Sequence, residues 1–481
     1  MTMPTHPASE GGLAWGSLTT PLQPFEIDHP THIAVVEPDT AFWGLVRKEK
    51  LAETLSGSEL LDTYHAKAEA FRREMDMLRF HLKPSAIYFN PTERCNLNCS
   101  YCYIPEQMRR GGEHMTTATV LDALERLHSY FRGHMPEGRL PQVIFHGAEP
   151  MLNRDAIFAG IKAYGDRFRF GVQTNATLLD DEAVNFLTAH GVGIGLSLDG
   201  PVAAVADRTR RRWNGRGVFD HVVRAIERLD GYLGYNVICT MTTENLPHLA
   251  KLVDFFHARR VPACMLNVTR CTLPGARIVR GSDDDVSRYY IAALERTHQL
   301  YRETGRKLVV ANFANILIAI LAPTARRLMC DISPCGGGRS FFALASNGDL
   351  FPCSEFIGLP AFNGGNLFRQ SVEEILDSPA FRLVTGRKVE DVAGCNTCPI
   401  RHFCGSPCPA EAHEMNGGMK QKGAFCRFYE EQVRFALRLI ADGRHEDFLW
   451  DGWDDGTEET CAIGRPEMAP SPSITVSHGF E

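Results

Sequence analysis

The chain has 481 residues, of which 44% are hydrophobic and 23% charged, and a formal net charge of -7. That length allows two or three domains around a large buried core. So modest a charge gives no reason to expect nucleic acid as a partner, and no apolar run approaches a membrane span. The N-terminus MTMPTHPASEGG has no charged start followed by an apolar stretch, so a cytoplasmic location is the default expectation.

Residues 1–84 show little periodicity before a helical stretch near 58–80, and we read them as an N-terminal extension without an assigned role. From residue 86 onward, short β-branched or apolar runs alternate with helical patterns. The expected strands are 86–90, 142–147, 170–175, 193–199, 236–241 and 264–268, with helices such as 118–131, 180–191 and 219–231 between them. Six βα repeats predict a parallel sheet, doubly wound or curled into a partial barrel, with its chemistry at the C-terminal strand ends. A helical connector is expected from Val286 to Ala322. The chain thus divides into an extension (1–84), a βα core with its connector (85–326), a cysteine-rich domain (327–448) and an acidic tail (449–481) that reads as disordered.

Fifteen cysteines are the informative feature: they are clustered and odd in number. Disulfides explain them poorly in a chain expected in a reducing compartment, where clustered thiolates more often hold metal. RCNLNCSYC places Cys95, Cys99 and Cys102 in the spacing CxxxCxxC after the first core strand, and the next cysteine is Cys239. Either this is half of a zinc site, or a cluster is held at three corners and open at the fourth. Cys239, Cys264, Cys271 and Cys461 are expected not to be ligands, although Cys271, just after the last strand, could reach the pocket.

CxxxCxxC after the first strand, with Tyr101 before its last cysteine, resembles the radical SAM superfamily. The resemblance implies a partial (β/α)6 radical-SAM barrel and a [4Fe-4S] cluster held by Cys95, Cys99 and Cys102. The open iron would chelate S-adenosyl-L-methionine (SAM), and Tyr101 would lie against its adenine. Gly147, Ala148, Glu149 and Pro150 resemble the family's GGEP motif, whose backbone meets the methionine amine; Ala148 departs from it. Ser197 and Asp199 in SLDGP, and Arg210 with one residue inserted, resemble positions that contact the ribose and carboxylate of SAM. Asn175 in QTNATLL is a further strand-end candidate. His146 reads as structural. The run Arg208, Arg210, Arg211, Arg212 and Arg216 around Trp213 reads as a solvated loop, with substrate docking as the functional alternative.

A second cysteine region opens with Cys335, Gly348 and Cys353, continues as C-x2-C-x5-C-x3-C at Cys395, Cys398, Cys404 and Cys408, and ends at Cys426. Bare CxxC pairs also occur in zinc ribbons. The full order resembles the SPASM extension of radical SAM enzymes that modify peptides and proteins. It implies two auxiliary [4Fe-4S] clusters, an inner one on Cys330, Cys335, Cys353 and Cys408 and an outer one on Cys395, Cys398, Cys404 and Cys426.

Two SPASM groups compete for the product. Anaerobic sulfatase maturases, which make formylglycine, commonly have an aspartate directly after the cysteine matching Cys353; here FPCSEF places Ser354 there, and Glu355 next. Longer stretches, such as PSAIYFNPTERCNLNCSYCYIP and RRLMCDISPCGGGRSFFALASNGDLFPCSEFIGL, resemble the maturase of quinohemoprotein amine dehydrogenase. That resemblance implies thioether links between cysteine and Asp or Glu in a small subunit, with Glu355 as the nearby acid/base and a flavodoxin or ferredoxin as electron donor. From a different class, a non-catalytic iron–sulfur scaffold is the alternative, which GAEP and SLDG oppose because a carrier needs no SAM pocket.

Overall fold

A computed structural model describes residues 20–454 of the chain. In the N-terminal extension, where little pattern was legible, the described residues form a three-stranded antiparallel sheet: β1 (Gln23–Phe25), β2 (His32–Glu37) and β3 (Phe42–Arg47), with β2 in the middle. HIAVVE shows no period of two because β2 is buried along nearly its whole length, and a strand covered on both sides has no polar face to alternate with. The helix Glu59–Asp76 closes over this sheet with Leu61, Tyr64, Ala68 and Phe71, a stripe at helical spacing that meets Val35 and Phe42.

All six expected core strands form: β4 (Ala86–Phe89), β5 (Gln142–Phe145), β6 (Arg169–Thr174), β7 (Gly193–Ser197), β8 (Tyr235–Met241) and β9 (Ala263–Val268). They lie parallel and side by side in chain order. The pairings Phe89 with Phe145 and Phe145 with Val172 bring the first three strand ends to one edge. The intervening helices are amphipathic. Thr117–Arg132, for example, buries Val120, Ala123, Leu124, Leu127, Tyr130 and Phe131, and Phe131 stacks on Phe342 at 6.1 Å.

The connector differs from the single helical stretch expected. It comprises two helices, Asp283–Thr304 and Ala311–Leu321, with β10 (Val309–Val310) between them, parallel to β9. Gly305 takes a left-handed φ of 72°, which ends the first helix and lets the chain turn. At the other edge, β11 (Phe341–Leu344) pairs parallel with β4, and β12 (Asp349–Phe351) and β13 (Gly365–Asn366) follow antiparallel. The result is one ten-stranded sheet in the order β10-β9-β8-β7-β6-β5-β4-β11-β12-β13. Its two end strands do not pair, so the barrel is partial. Among the described residues, no helix is long and apolar enough to cross a membrane.

Candidate active site

The cysteine-bearing loop leaves β4 and is fastened from three sides. Cys95 N–H donates to Arg109 O at 2.8 Å, Asn98 N–H to Arg211 O at 2.7 Å, and Ser100 N–H to Thr209 O at 3.0 Å. Arg109, from the helix Glu106–Gly111, is buried beneath the loop and donates to Ile104 O and Asn98 Oδ1 at 3.0 and 2.9 Å. Trp213 Nε1–H donates to Cys95 O at 2.8 Å. Arg109 and Trp213 are structural partners that sequence reasoning missed, because no local pattern ties them to the loop.

Burial pushes the Cys99 thiol up to about 11, although nearby Arg210 acts in the opposite direction, and it also raises Cys95 and Cys102. Cys99 and Cys102 raise Cys95 further, and Cys102 raises Cys99. Ionising three adjacent buried thiols therefore calls for a bound cation, which fits a metal cluster.

The strand ends after β4 build a polar frame around this loop. Gly147 sits at φ 107°, and a Cβ there would lie 2.5 Å from the Asn90 side chain, so the position suits only glycine. Glu149 is fully buried, and its carboxylate accepts from Met151 N–H at 3.1 Å, Thr174 Oγ1–H at 2.7 Å and Asn175 N–H at 2.8 Å. These bonds lock the GAEP turn, with Ala148 and Pro150 beside Glu149, to the end of β6. Asn175 Nδ2–H donates to Asn96 Oδ1 at 2.9 Å and lies 3.9 Å from Cys95 Sγ, so it braces the cysteine loop.

Ser197 ends β7, half-buried, and Asp199 follows it, 1% exposed. Asp199 Oδ2 accepts from Tyr101 O–H at 2.6 Å and Thr209 Oγ1–H at 3.3 Å, and Oδ1 from Thr240 N–H at 3.0 Å. Arg210 Nη1–H donates to Tyr101 Oη at 2.5 Å and lies 3.9 Å from Asp199. Tyr101 is thus a buried tie between the cysteine loop and β7. Arg210 Nε is buried with no partner among the described residues, an orphaned donor beside the first cysteine set. Tyr101→Phe removes the hydroxyl from this buried pair and should cost about 1–3 kcal/mol. Thermal or denaturant unfolding of the purified variant measures it.

The second cysteine region forms two groups. Cys395, Cys398, Cys404 and Cys426 line one cavity of about 40 Å³. Cys335, Cys353 and Cys408 adjoin a separate apolar cluster with Phe356 and Phe362, and Cys330 lies close enough to Cys353 to raise its pKa. Arg387 lies between the groups, close enough to feel Cys335 and Cys408 on one side and Cys395 and Cys404 on the other. Its guanidinium donates to Ser406 O, Met419 O and Gln421 O at 3.0, 2.7 and 2.9 Å.

Ser354–Phe356 is a 3-10 turn. Ser354 is buried, its hydroxyl 4.0 Å from Cys353 Sγ. Glu355 also points into the interior. Burial pushes its carboxyl up to about 7, against the pull of Arg270, whose Nε is 3.6 Å from Oε1. Oε2 is buried without a partner among the described residues. Glu355 acts electrostatically on Cys102 of the first set and on Cys330, Cys353 and Cys408 of the second, so it lies between them. Arg270 also meets Glu411 at 3.4 Å, whose other oxygen accepts from Cys271 N–H at 2.8 Å. Neither Arg270 nor Glu411 was singled out from the sequence.

Cys239 and Cys264 are buried within β8 and β9. Cys271 is fully buried and donates to Thr269 O at 3.4 Å. Cys461 lies outside the described residues. Burial lowers the pKa of His146 to about 4, which suits its structural reading.

Three thiols on one loop at the first strand end, framed by strand-end carboxylates and followed by two further thiol groups, define an iron–sulfur enzyme of the radical SAM type. The chain belongs to the radical SAM superfamily: that domain is matched over residues 89–256, and the SPASM iron–sulfur cluster-binding domain over residues 335–399. This membership implies a SAM-binding [4Fe-4S] cluster and auxiliary iron–sulfur clusters. An uncharacterized protein of Archaeoglobus fulgidus is 37% identical over 409 residues, covering 84% of this chain and 92% of that protein. The serine-type anaerobic sulfatase-maturating enzyme of Klebsiella aerogenes is 24% identical, over 78% of this chain and 91% of its own. Among solved structures, anSMEcpe with bound AdoMet and Cp18Cys peptide has a TM-score of 0.65 at 18% identity, covering 76% of this chain and 99% of that one. Streptococcus suis SuiB bound to precursor peptide SuiA has a TM-score of 0.55 at 16% identity, covering 79% and 86%.

Proposed function

We propose that this protein is a maturase that modifies a peptide or small protein subunit, joining cysteine sulfur to a side-chain carbon of Asp or Glu. The observation that carries the reading is the pair Ser354 and Glu355 beside Cys353. Where sulfatase maturases commonly have an aspartate, this chain has a buried hydroxyl, a poor proton acceptor. The carboxylate is supplied instead by Glu355, between the two cysteine regions and with Oε2 free to receive a proton. The peptide complexes of anSMEcpe and SuiB support a peptide partner. The small subunit of a quinohemoprotein amine dehydrogenase is the substrate that the sequence resemblance nominates.

In this reading Cys95, Cys99 and Cys102 hold the SAM-binding cluster. Cys330, Cys335, Cys353 and Cys408 hold the inner auxiliary cluster, and Cys395, Cys398, Cys404 and Cys426 the outer one. When bound, these groups supply a carbon-centred radical from SAM and an acceptor for the spare electron. The protein's own residues do the rest. The Gly147–Pro150 turn, Asn175, Ser197, Asp199 and Arg210 shape the SAM pocket, and the Tyr101–Asp199–Arg210 tie keeps the cysteine loop in register with it. Glu355 Oε2 takes the proton from the substrate cysteine, while Arg270 holds the other carboxylate oxygen.

A second reading, formylglycine formation, draws on the sulfatase-maturating relative and on the anSMEcpe fold. Mass spectrometry separates the two. A thioether removes two hydrogens per link and hides one thiol from alkylation, whereas formylglycine leaves an aldehyde that hydrazides trap. We expect the two-hydrogen loss, protection from alkylation and no hydrazide adduct; a hydrazide-reactive product would overturn the thioether reading.

A further inference from the structure

The arginine run around Trp213 takes no part in the pocket beyond Arg210, and the structure gives it a distinct setting. Thr209 to Trp213 runs beside the first cysteine loop, bonded to it through Ser100 N–H, Asn98 N–H and the Trp213 indole. Arg210 turns inward to Tyr101, whereas Arg211 is exposed. Arg110 lies over the Trp213 ring at 3.8 Å, and Arg109 approaches it at 5.2 Å. Around this ring Arg94, Arg211 and Arg216 are exposed and Arg212 is half-buried.

Some exposed arginines among the described residues pair with carboxylates, as Arg126 does with Asp122 and Arg288 with Asp285. Arg94, Arg211, Arg212 and Arg216 pair with none among the described residues. Arg94 and Arg211 donate to the carbonyls of Gly112 and Asp207, and Arg212 faces His221 at 3.4 Å. Arg110, paired with Glu106, is the exception on this face. A net-negative chain therefore keeps a cationic patch over the outside of one loop.

We propose that this face docks an acidic one-electron carrier protein, with Trp213 at the centre of the contact. The proposal rests on the reading of Cys95, Cys99 and Cys102 as the SAM-binding cluster set, which must receive one electron from outside. The loop's two ends face different surroundings. Cys102 lies toward Glu355, where a peptide has to be modified, while Cys95 lies against Trp213, a partly exposed residue that reaches both solvent and the loop backbone. A carrier seated on Trp213 gives up one electron, the cluster gains it, and the substrate path stays clear. Unpaired guanidinium groups attract an acidic partner and speed its association, an effect that salt screens.

The test uses the holoenzyme, an acidic flavodoxin as probe, and Arg211→Glu with Arg216→Glu. Two quantities are read: flavodoxin Kd as a function of salt by flavin fluorescence, and SAM cleavage driven either by reduced flavodoxin or by dithionite, which needs no docking. We expect Kd to rise at least about tenfold with a shallower salt dependence, and flavodoxin-driven cleavage to fall while dithionite-driven cleavage holds. The Arg211→Gln, Arg216→Gln pair should give a smaller shift of the same sign. Unchanged Kd and salt dependence would overturn the proposal, as would a loss confined to peptide KM, which would mark a peptide-docking face. Absence of dithionite-driven cleavage in the unaltered enzyme is instead a failure of the radical SAM reading, and the binding titration still reads the surface.

Discussion

Protein reconstituted anaerobically with iron and sulfide should hold about twelve irons, and replacing Cys95, Cys99 and Cys102 together by Ala should remove about one third of them and all SAM cleavage. The selectivity follows from the fold. The three thiols share one loop after β4, whereas the other two groups are drawn from residues 330–426, and the outer group has its own cavity. Losing the first set therefore leaves the others with their full complement of thiols. Iron analysis and detection of 5′-deoxyadenosine check both halves, and full SAM cleavage by the triple variant would sink the assignment of that set.

Glu355→Gln should leave SAM cleavage intact and lower product formation by roughly 10²–10⁴-fold. Glutamine keeps the shape of the side chain but cannot take a proton. Arg270→Met is the companion variant. Arg270 faces Glu355 and Glu411, which are 17% and 2% exposed, so its loss leaves two buried carboxylates uncompensated and should cost about 3–5 kcal/mol. If Glu355 serves only as a partner for Arg270, the glutamine variant should lose stability while product formation holds. A stable Glu355→Gln protein that cleaves SAM without making product separates the two roles.

The six core strands were legible because each is a short apolar run between a helix and a turn. β10, β12 and β13 were not, since strands of two or three residues carry too little period to distinguish them from loop. Phe341–Leu344 was hidden for another reason. It lies in a cysteine-rich stretch whose spacing drew the reading toward ligands, and nothing local says that β11 pairs with β4, more than 250 residues earlier. At the site, cysteine spacing identified the thiol groups because ligation of a cluster by one loop is a local constraint. The Tyr101–Asp199–Arg210 tie and the Arg270–Glu411 pair join residues about 100 or more apart, so they follow from strand order and not from any motif.

β4 carries the first cysteine loop at its end, and its flanks are held by β5 on one side and β11 on the other. Its Ala86, Ile87 and Phe89 are fully buried. A shortened chain that stops before Phe341 would bare one flank of this apolar strand, and its unpaired N–H and C=O groups would invite strands from other molecules. Expressed alone, the barrel half should then precipitate, whatever its iron content. The auxiliary domain is thus also a seam, the last strip sewn onto a sheet that needs it to stay single.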